Sequence, residues 1–152
     1  MEFNLNTMTT LRATQEHLQA LTPLFNAYRV FYKQEADLDA ARAFLQERFN
    51  KKDSVIFMAL DDSDNALGFT QLYPSFSSVA MKRVFVLNDL FVTPDARGKQ
   101  VGTALLERAK QHARQENARG LVLETGADNP AQYLYERNGW TKDPALHYFW
   151  EV

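Results

Sequence analysis

The sequence predicts a single α+β domain built on one mixed sheet, and three observations predict it. Helical stretches come early and are followed by three strand-like runs in close succession, "SVIFMAL", "LGFTQLY" and "RVFVLNDLFV". The chain then alternates helix, strand, helix and strand to its last residues. Strands joined by short loops pair antiparallel, whereas strands joined through a helix pair parallel, so the two halves require a mixed sheet. Finally, 152 residues with 45% hydrophobic content suit one core. No repeat divides them, and the longest polar stretch, "DDSDN" at 61 to 65, is too short for a linker.

Each element has a local reason. "MEFNLNTMTTL" is expected to contain a first strand. Thr14 can cap a helix beginning near Gln15, in which Leu18, Leu21, Phe25, Tyr28 and Tyr32 recur at steps of three and four. Pro23 lies inside that run and is expected to kink or divide it. Asp37 can cap a second helix through Ala40, Phe44, Leu45 and Phe49. "SVIFMAL" reads as a buried strand, "DDSDNA" as a hairpin loop and "LGFTQLY" as its partner; "RVFVLNDLFV" is a longer strand. "GTALLERAKQHARQEN" is an amphipathic helix, and "GLVLET" a short, fully buried strand. Asn129-Pro130 joins an N-cap residue to a proline at the first helical position, opening "AQYLYERNG", which Gly139 is placed to end. "LHYFWEV" is expected to finish the sheet as a strand.

Composition removes several classes of function. There are no cysteines, which excludes a disulfide framework, a thiolate metal site and a cysteine nucleophile. His17, His112 and His147 are scattered without metal-ligand spacing and read as structural, so no metal is expected. A net charge of −2 argues against a nucleic-acid partner and suits a small cationic or neutral one. No apolar run approaches the ~20 residues that span a bilayer. The first ten residues carry neither a basic nor an apolar signal region. The expectation is a cytoplasmic protein with no membrane partner.

The stretch "FVTPDARGKQVGTALLERA" at 91 to 109 raises a chemical question. A helix starting inside a protein needs side chains to satisfy its first N–H groups, and here Asp95 is the one cap candidate, some residues early. Exposed N–H groups beside Arg97 and Lys99 form an electropositive nest suited to phosphate. The plain alternative, with Asp95 as cap and both cations facing solvent, fits the loop alone equally well. Lys99 is followed by Gln100 rather than Ser or Thr, so the loop is not a Walker motif, and Gly98 and Gly102 are too few for a dinucleotide fingerprint.

"LNDLFVTPDARGKQVGTALLERA" followed by "DNPAQYLYERNGW" resembles the GNAT superfamily of acetyl-CoA-dependent N-acetyltransferases. That family's loop reads Gln/Arg-x-x-Gly-x-Gly/Ala, and Arg97, Gly98, Lys99, Gln100, Val101 and Gly102 occupy it, with Gln100 where a glycine is usual. The element order matches along nearly the whole chain. Within the family the chain is similar to the short diamine, thialysine and histone/polyamine members, through "AYRVFY", "LNDLFV" and "HYFW". The resemblance implies a GNAT-type domain of about six or seven strands and about four helices. It also implies acetyl-CoA held by the loop from Arg97 to Thr103.

Moving an acetyl group from a thioester to an amine requires that the amine lose a proton, the oxyanion be stabilised and the thiolate be protonated. Taken alone, Tyr133, Leu134 and Tyr135 read as core residues; the resemblance singles out Tyr135 as the acid. Asn88 and Asp89 interrupt an apolar strand, where adjacent side chains take opposite faces or one sits at a bulge. Related diamine enzymes carry Glu at the position of Asn88, which as Asn cannot serve as a base. The base is then Asp89, an acid such as Glu35 or Asp37, or solvent. By the same resemblance Leu90, Phe91 and Val92 offer backbone groups to pantetheine and the thioester. The family places an Asn seven residues before the helix tyrosine, a register that lands on Asp128, while Asn129 one place later has the chemistry. Tyr28, Phe31, Tyr32 and Glu35 share a helical face that reads as core, and the resemblance puts this region over the acceptor, with Tyr28 and Asn88 as acceptor contacts.

The expected activity is transfer of acetyl from acetyl-CoA to a polyamine-like amine or a lysine side chain. The alternatives are an aminoglycoside or amino-acid acetyltransferase, or a CoA-binding module without transfer. The aromatic tail reads as an open sheet edge, and resembling proteins share strands at this end, so a two-fold homodimer is expected.

Overall fold

The computed structural model describes residues 8–152. Five strands form one sheet in the order of the sequence: β1 (Thr9–Arg12), β2 (Val55–Leu60), β3 (Ala66–Ser77), β4 (Lys82–Val92) and β5 (Gly120–Val122). β1 to β4 pair antiparallel, and β4 pairs β5 parallel through a helical crossover. The sheet is therefore mixed, as expected. Four α-helices complete the domain: α1 (Leu18–Phe31), α2 (Leu38–Lys51), α3 (Val101–Gln115) and α4 (Ala131–Arg137).

The strands sort their side chains into two cores. On one face Ile56, Met58, Phe69 and Phe91 pack with Leu21, Leu24 and Phe25 of α1 and Ala41 and Leu45 of α2. On the other, Phe57, Leu72, Phe85 and Leu87 pack with Val101, Leu105, Leu106 and Ala109 of α3, and Leu134 and Tyr135 of α4 join them. β2 is buried along its full length because both faces are covered. Gly68 marks the tightest crossing of β3 and β4. A Cβ there would lie 2.6 Å from the Phe91 carbonyl oxygen and 3.3 Å from Leu105 Cδ1.

Caps and turns follow the sequence closely. The Asp37 carboxylate accepts from the Ala40 N–H (3.0 Å), and the "DDSDN" loop folds around Asp61, which accepts from the Ser63 and Asn65 N–H groups. His17 Nδ1 accepts from the Thr14 N–H across a 3-10 turn that precedes α1. Gly139, at φ +86°, ends α4.

Four expectations are corrected. The described residues hold five strands rather than six or seven. Pro23 does not divide α1: it and Gln19, the residue whose carbonyl loses its partner, both lie on the exposed face, where water can take the bond. The strand in "GLVLET" is three residues long and not fully buried, with Val122 50% exposed, because β5 is the sheet's last strand. "LHYFWEV" forms no strand: Leu146, Tyr148, Phe149 and Trp150 stand in solvent, Trp150 82% exposed. Helices already cover both sheet faces, so the central sheet leaves the tail no core to complete among the described residues. His147 pairs with Glu124 at 2.9 Å. The first strand occupies Thr9–Arg12, and the part of that expectation on residues 1–7 lies outside the described residues.

Candidate active site

The sheet opens where β4 outruns β5. Their pairing ends at Val86↔Val122, so from Leu87 to Val92 one edge of β4 has no strand beside it among the described residues. Unpaired strand edges are ready hydrogen-bonding surfaces for an extended ligand. The loop from Arg97 leads from the end of this edge into α3. Gln100, at φ +63°, is the residue before the helix and gives it no side-chain cap. Residues 97–100 form the turn that leads into it, and no side-chain cap closes the start of α3 among the described residues. This open helix start, next to an unpaired strand edge, fits a ligand with an extended arm and a phosphate group.

Arg97 is tied back to the strand that precedes the loop. Its Nε–H donates to the Val92 carbonyl (3.0 Å), and its guanidinium lies over the rings of Phe31 and Phe91. Thr103 is also turned away from the loop, its hydroxyl accepting from Asn138 Nδ2 at 3.3 Å. Val101 and Gly102 are buried, and a Cβ on Gly102 would lie 3.0 Å from Leu134 of α4, so α3 and α4 touch at the loop.

A polar cluster lies on the α1 face of β4. In the β3–β4 register Gln71 faces Asp89 while Leu72 faces Leu87, which leaves Asn88 as an extra residue in a bulge. The bulge changes strand parity: Leu87 joins the α3 core, whereas Asp89, aligned with Gln71, turns towards α1. Asp89 is 2% exposed. Its carboxylate accepts from Gln71 Nε2 (2.5 Å) and Asn88 Nδ2 (2.8 Å), and Tyr28 shares its hydroxyl proton between Asp89 and the Asn88 carbonyl (3.2 Å). Thr70 donates to the Asp89 carbonyl at 2.8 Å. Burial lifts the Asp89 carboxyl above the usual carboxylate range, against the opposing pull of these donors. Burial, with the Asp89 charge, raises the Tyr28 and Tyr73 phenols too.

Tyr135 projects from α4, half-buried against Trp140 with ring centroids 6.0 Å apart. Burial first, and Tyr32 second, push its phenol up to about 12, so it stays protonated throughout the neutral range. The Tyr32 ring meets that of Tyr28 edge-on, with centroids 5.0 Å apart. The Asn129 side-chain oxygen accepts from the N–H of Ala131, the first residue of α4, at 2.9 Å, a bond that does not use the amide NH2. Asp128 is exposed.

The structure thus brings together Tyr28, Asn88 and Asp89, while Tyr135 packs with Trp140 beside the α3 core. Leu90, Phe91 and Val92 continue the same strand, with Phe91 in the α1 core. Asp37 is engaged as the α2 cap and does not join the cluster. Phe31 and Tyr32, read from the sequence as core, are 54% and 49% exposed and line the mouth. Gln71 was missed. Its signal was a lone amide inside "LGFTQLY", one strand away from another polar interruption. His112 lies between the rings of Phe57 and Phe85.

The model of the acetyltransferase (GNAT) family matches residues 18–140. An uncharacterized N-acetyltransferase of Bacillus subtilis (strain 168), YhfO, is 50% identical over 131 residues, 85% of this chain and 87% of that protein. A crystal structure of a probable acetyltransferase is 44% identical, with a TM-score of 0.91 over 95% of this chain and 97% of its own. The fold is also that of AAC(6')-Iy, solved in complex with the bisubstrate analog CoA-S-monomethyl-acetylneamine. That match is 20% identical, with a TM-score of 0.80 over 95% and 98% of the two chains.

Proposed function

The chain belongs to the acetyltransferase (GNAT) family, an acetyl-transferring enzyme that uses acetyl-CoA, and we propose that it moves the acetyl group directly to a primary amine on a polyamine-like molecule or a lysine side chain. The observation that carries this reading is a buried carboxylate, Asp89, set beside Tyr28 on the strand whose edge is unpaired. A carboxylate beside aromatic faces favours a cationic acceptor. Asp89 takes one proton from the acceptor ammonium, through water because the carboxylate is sealed. The neutral amine attacks the thioester carbonyl, and Tyr135 donates its phenolic proton to the departing thiolate. The tyrosinate then recovers a proton from the new amide nitrogen. The chain has no cysteine, and no covalent enzyme intermediate enters this scheme.

The backbone of Leu90 to Val92 receives the pantetheine arm, and the N–H groups from Gly98 to Gly102 receive the pyrophosphate. Asn129, with an NH2 group that its cap does not use, is the pantetheine contact. Release of free thiol from acetyl-CoA, followed with a panel of diamines, lysine peptides, aminoglycosides and amino acids, tests the acceptor. Turnover with diamines or lysine peptides is expected; release with none of the panel means a CoA-binding module instead. Millimolar CoA should raise the melting temperature of the wild-type protein, and Gly98→Glu should abolish that rise through bulk and charge. An equal shift in the variant would remove the loop from the cofactor site.

Two copies are proposed to assemble through the tail. The exposed Tyr148, Phe149 and Trp150 and the open edge of β5 support this, since each supplies what the other lacks. Sedimentation should give about twice the 17.5 kDa chain mass. A single species at the chain mass, persisting at high concentration, would exclude the dimer.

A further inference from the structure

Gln71 is 0% exposed, in the centre of β3, and nothing in the reaction calls on it. Its Nε2–H donates to Asp89 Oδ2 at 2.5 Å, while its Oε1 is sealed from solvent and receives no donor among the described residues. An unpaired buried acceptor costs about 1–3 kcal/mol, so a sequence serving packing alone would favour Leu or Met here. A side-chain amide has a second property. Rotation by half a turn exchanges its donor end for its acceptor end without changing its shape.

We propose that Gln71 is a positioning residue that serves both protonation states of Asp89: its amide donates to the carboxylate and, turned over, accepts from the carboxylic acid. The inference rests on Asp89 as the proton acceptor. In the ionised state Nε2–H points at Oδ2. Once Asp89 holds the acceptor's proton, that N–H would oppose the new O–H, and the turned amide presents Oε1 to it. Oε1 is then paired in the state that follows proton transfer. The Asp89 carboxyl keeps one orientation through the cycle, because Asn88 Nδ2 holds its other oxygen, Oδ1, at 2.8 Å while Thr70 anchors the Asp89 backbone carbonyl.

The groups facing Asp89 are few. Tyr28 approaches from α1 and Tyr73 from β3; both remain neutral phenols in the working range. Arg48 of α2 and Asp53 after it act on Tyr73 from further out. Asp89 is therefore the group that titrates within the cluster.

Two measurements test the proposal. In 15N-labelled wild-type protein, the Gln71 side-chain NH2 signals are expected to move in step with the Asp89 titration and to lose that movement in Asp89→Asn. This readout needs no turnover and no folded Gln71 variant except for assignment. In kinetics, Gln71→Met, which keeps volume without polar ends, is expected to raise the acidic limb of kcat/KM by about one pH unit and to leave the acetyl-CoA KM unchanged. Gln71→Glu places a second carboxyl on Asp89 and should raise the limb further. NH2 signals indifferent to Asp89, or a Gln71→Met limb at the wild-type pH, would overturn the proposal. If no amine is acetylated, the functional reading fails separately, and the NMR titration still decides the role of Gln71.

Discussion

Tyr135→Phe should lower kcat by about a hundredfold or more while changing the acetyl-CoA KM little, the usual size of a general-acid contribution. The substitution removes one oxygen and keeps the ring that packs on Trp140, so the fold should survive. The phenol is pushed up to about 12 by burial and Tyr32, which keeps its proton available across the neutral range. Neither arm of the activity profile below that value should belong to it. Stopped-flow or steady-state thiol release at saturating acceptor reads the effect directly. Unchanged kcat would return Tyr135 to the core.

Asp89→Asn should produce two opposite changes: kcat/KM falls by about a hundredfold or more, and the melting temperature at neutral pH rises. The second follows from the direction of the carboxyl's shift. Burial raises the native value above the unfolded one, so the native state holds the proton more tightly between the two. Wild-type stability therefore declines as pH climbs from the ordinary carboxylate range through the native value, and is level above it. The amide variant is neutral throughout and escapes that decline. At low pH the two proteins should melt together, and the gap should open through this window. A variant that is less stable than wild type at neutral pH would mean that the Asn88, Gln71 and Tyr28 donors outweigh the cost of burying the charge. Such trade-offs between stability and activity are usual at reactive groups.

The sequence was informative where one residue's neighbours along the chain decide its role. The cationic, poorly capped start of α3 could be read directly, because capping is a property of four or five consecutive residues. The Asn88-Asp89 interruption was visible for the same reason. Which face each would take was not, since strand parity across a bulge depends on the register with β3, and Gln71 lies 18 positions away from Asp89. Periodicity likewise found the Tyr28–Tyr32 stripe and assigned it to the core. Helical spacing reports which residues share a face, and it does not report where the neighbouring helix stops covering that face. The tail shows the same limit. Alternating bulky residues read as a strand, yet a strand needs a partner edge and a covering layer, and neither is encoded in the segment itself.

Gly68 has a consequence for how this protein can change. Any side chain there meets the Phe91 carbonyl oxygen at 2.6 Å, so the strand that carries the reactive cluster is held against one that tolerates a single residue type at the crossing. Gly98 is different: an added Cβ meets nothing within 4 Å among the described residues, and the φ of +74° is the restriction that the fold places on it. For the fold alone, residues that accept a left-handed backbone can replace it, as Gln100 at φ +63° already illustrates two positions on. The two glycines are thus required for different reasons: Gly68 by the packing of the fold itself, Gly98 by its left-handed backbone and by the ligand proposed to lie on its N–H, so substitutions at Gly68 should cost stability and those at Gly98 cofactor binding.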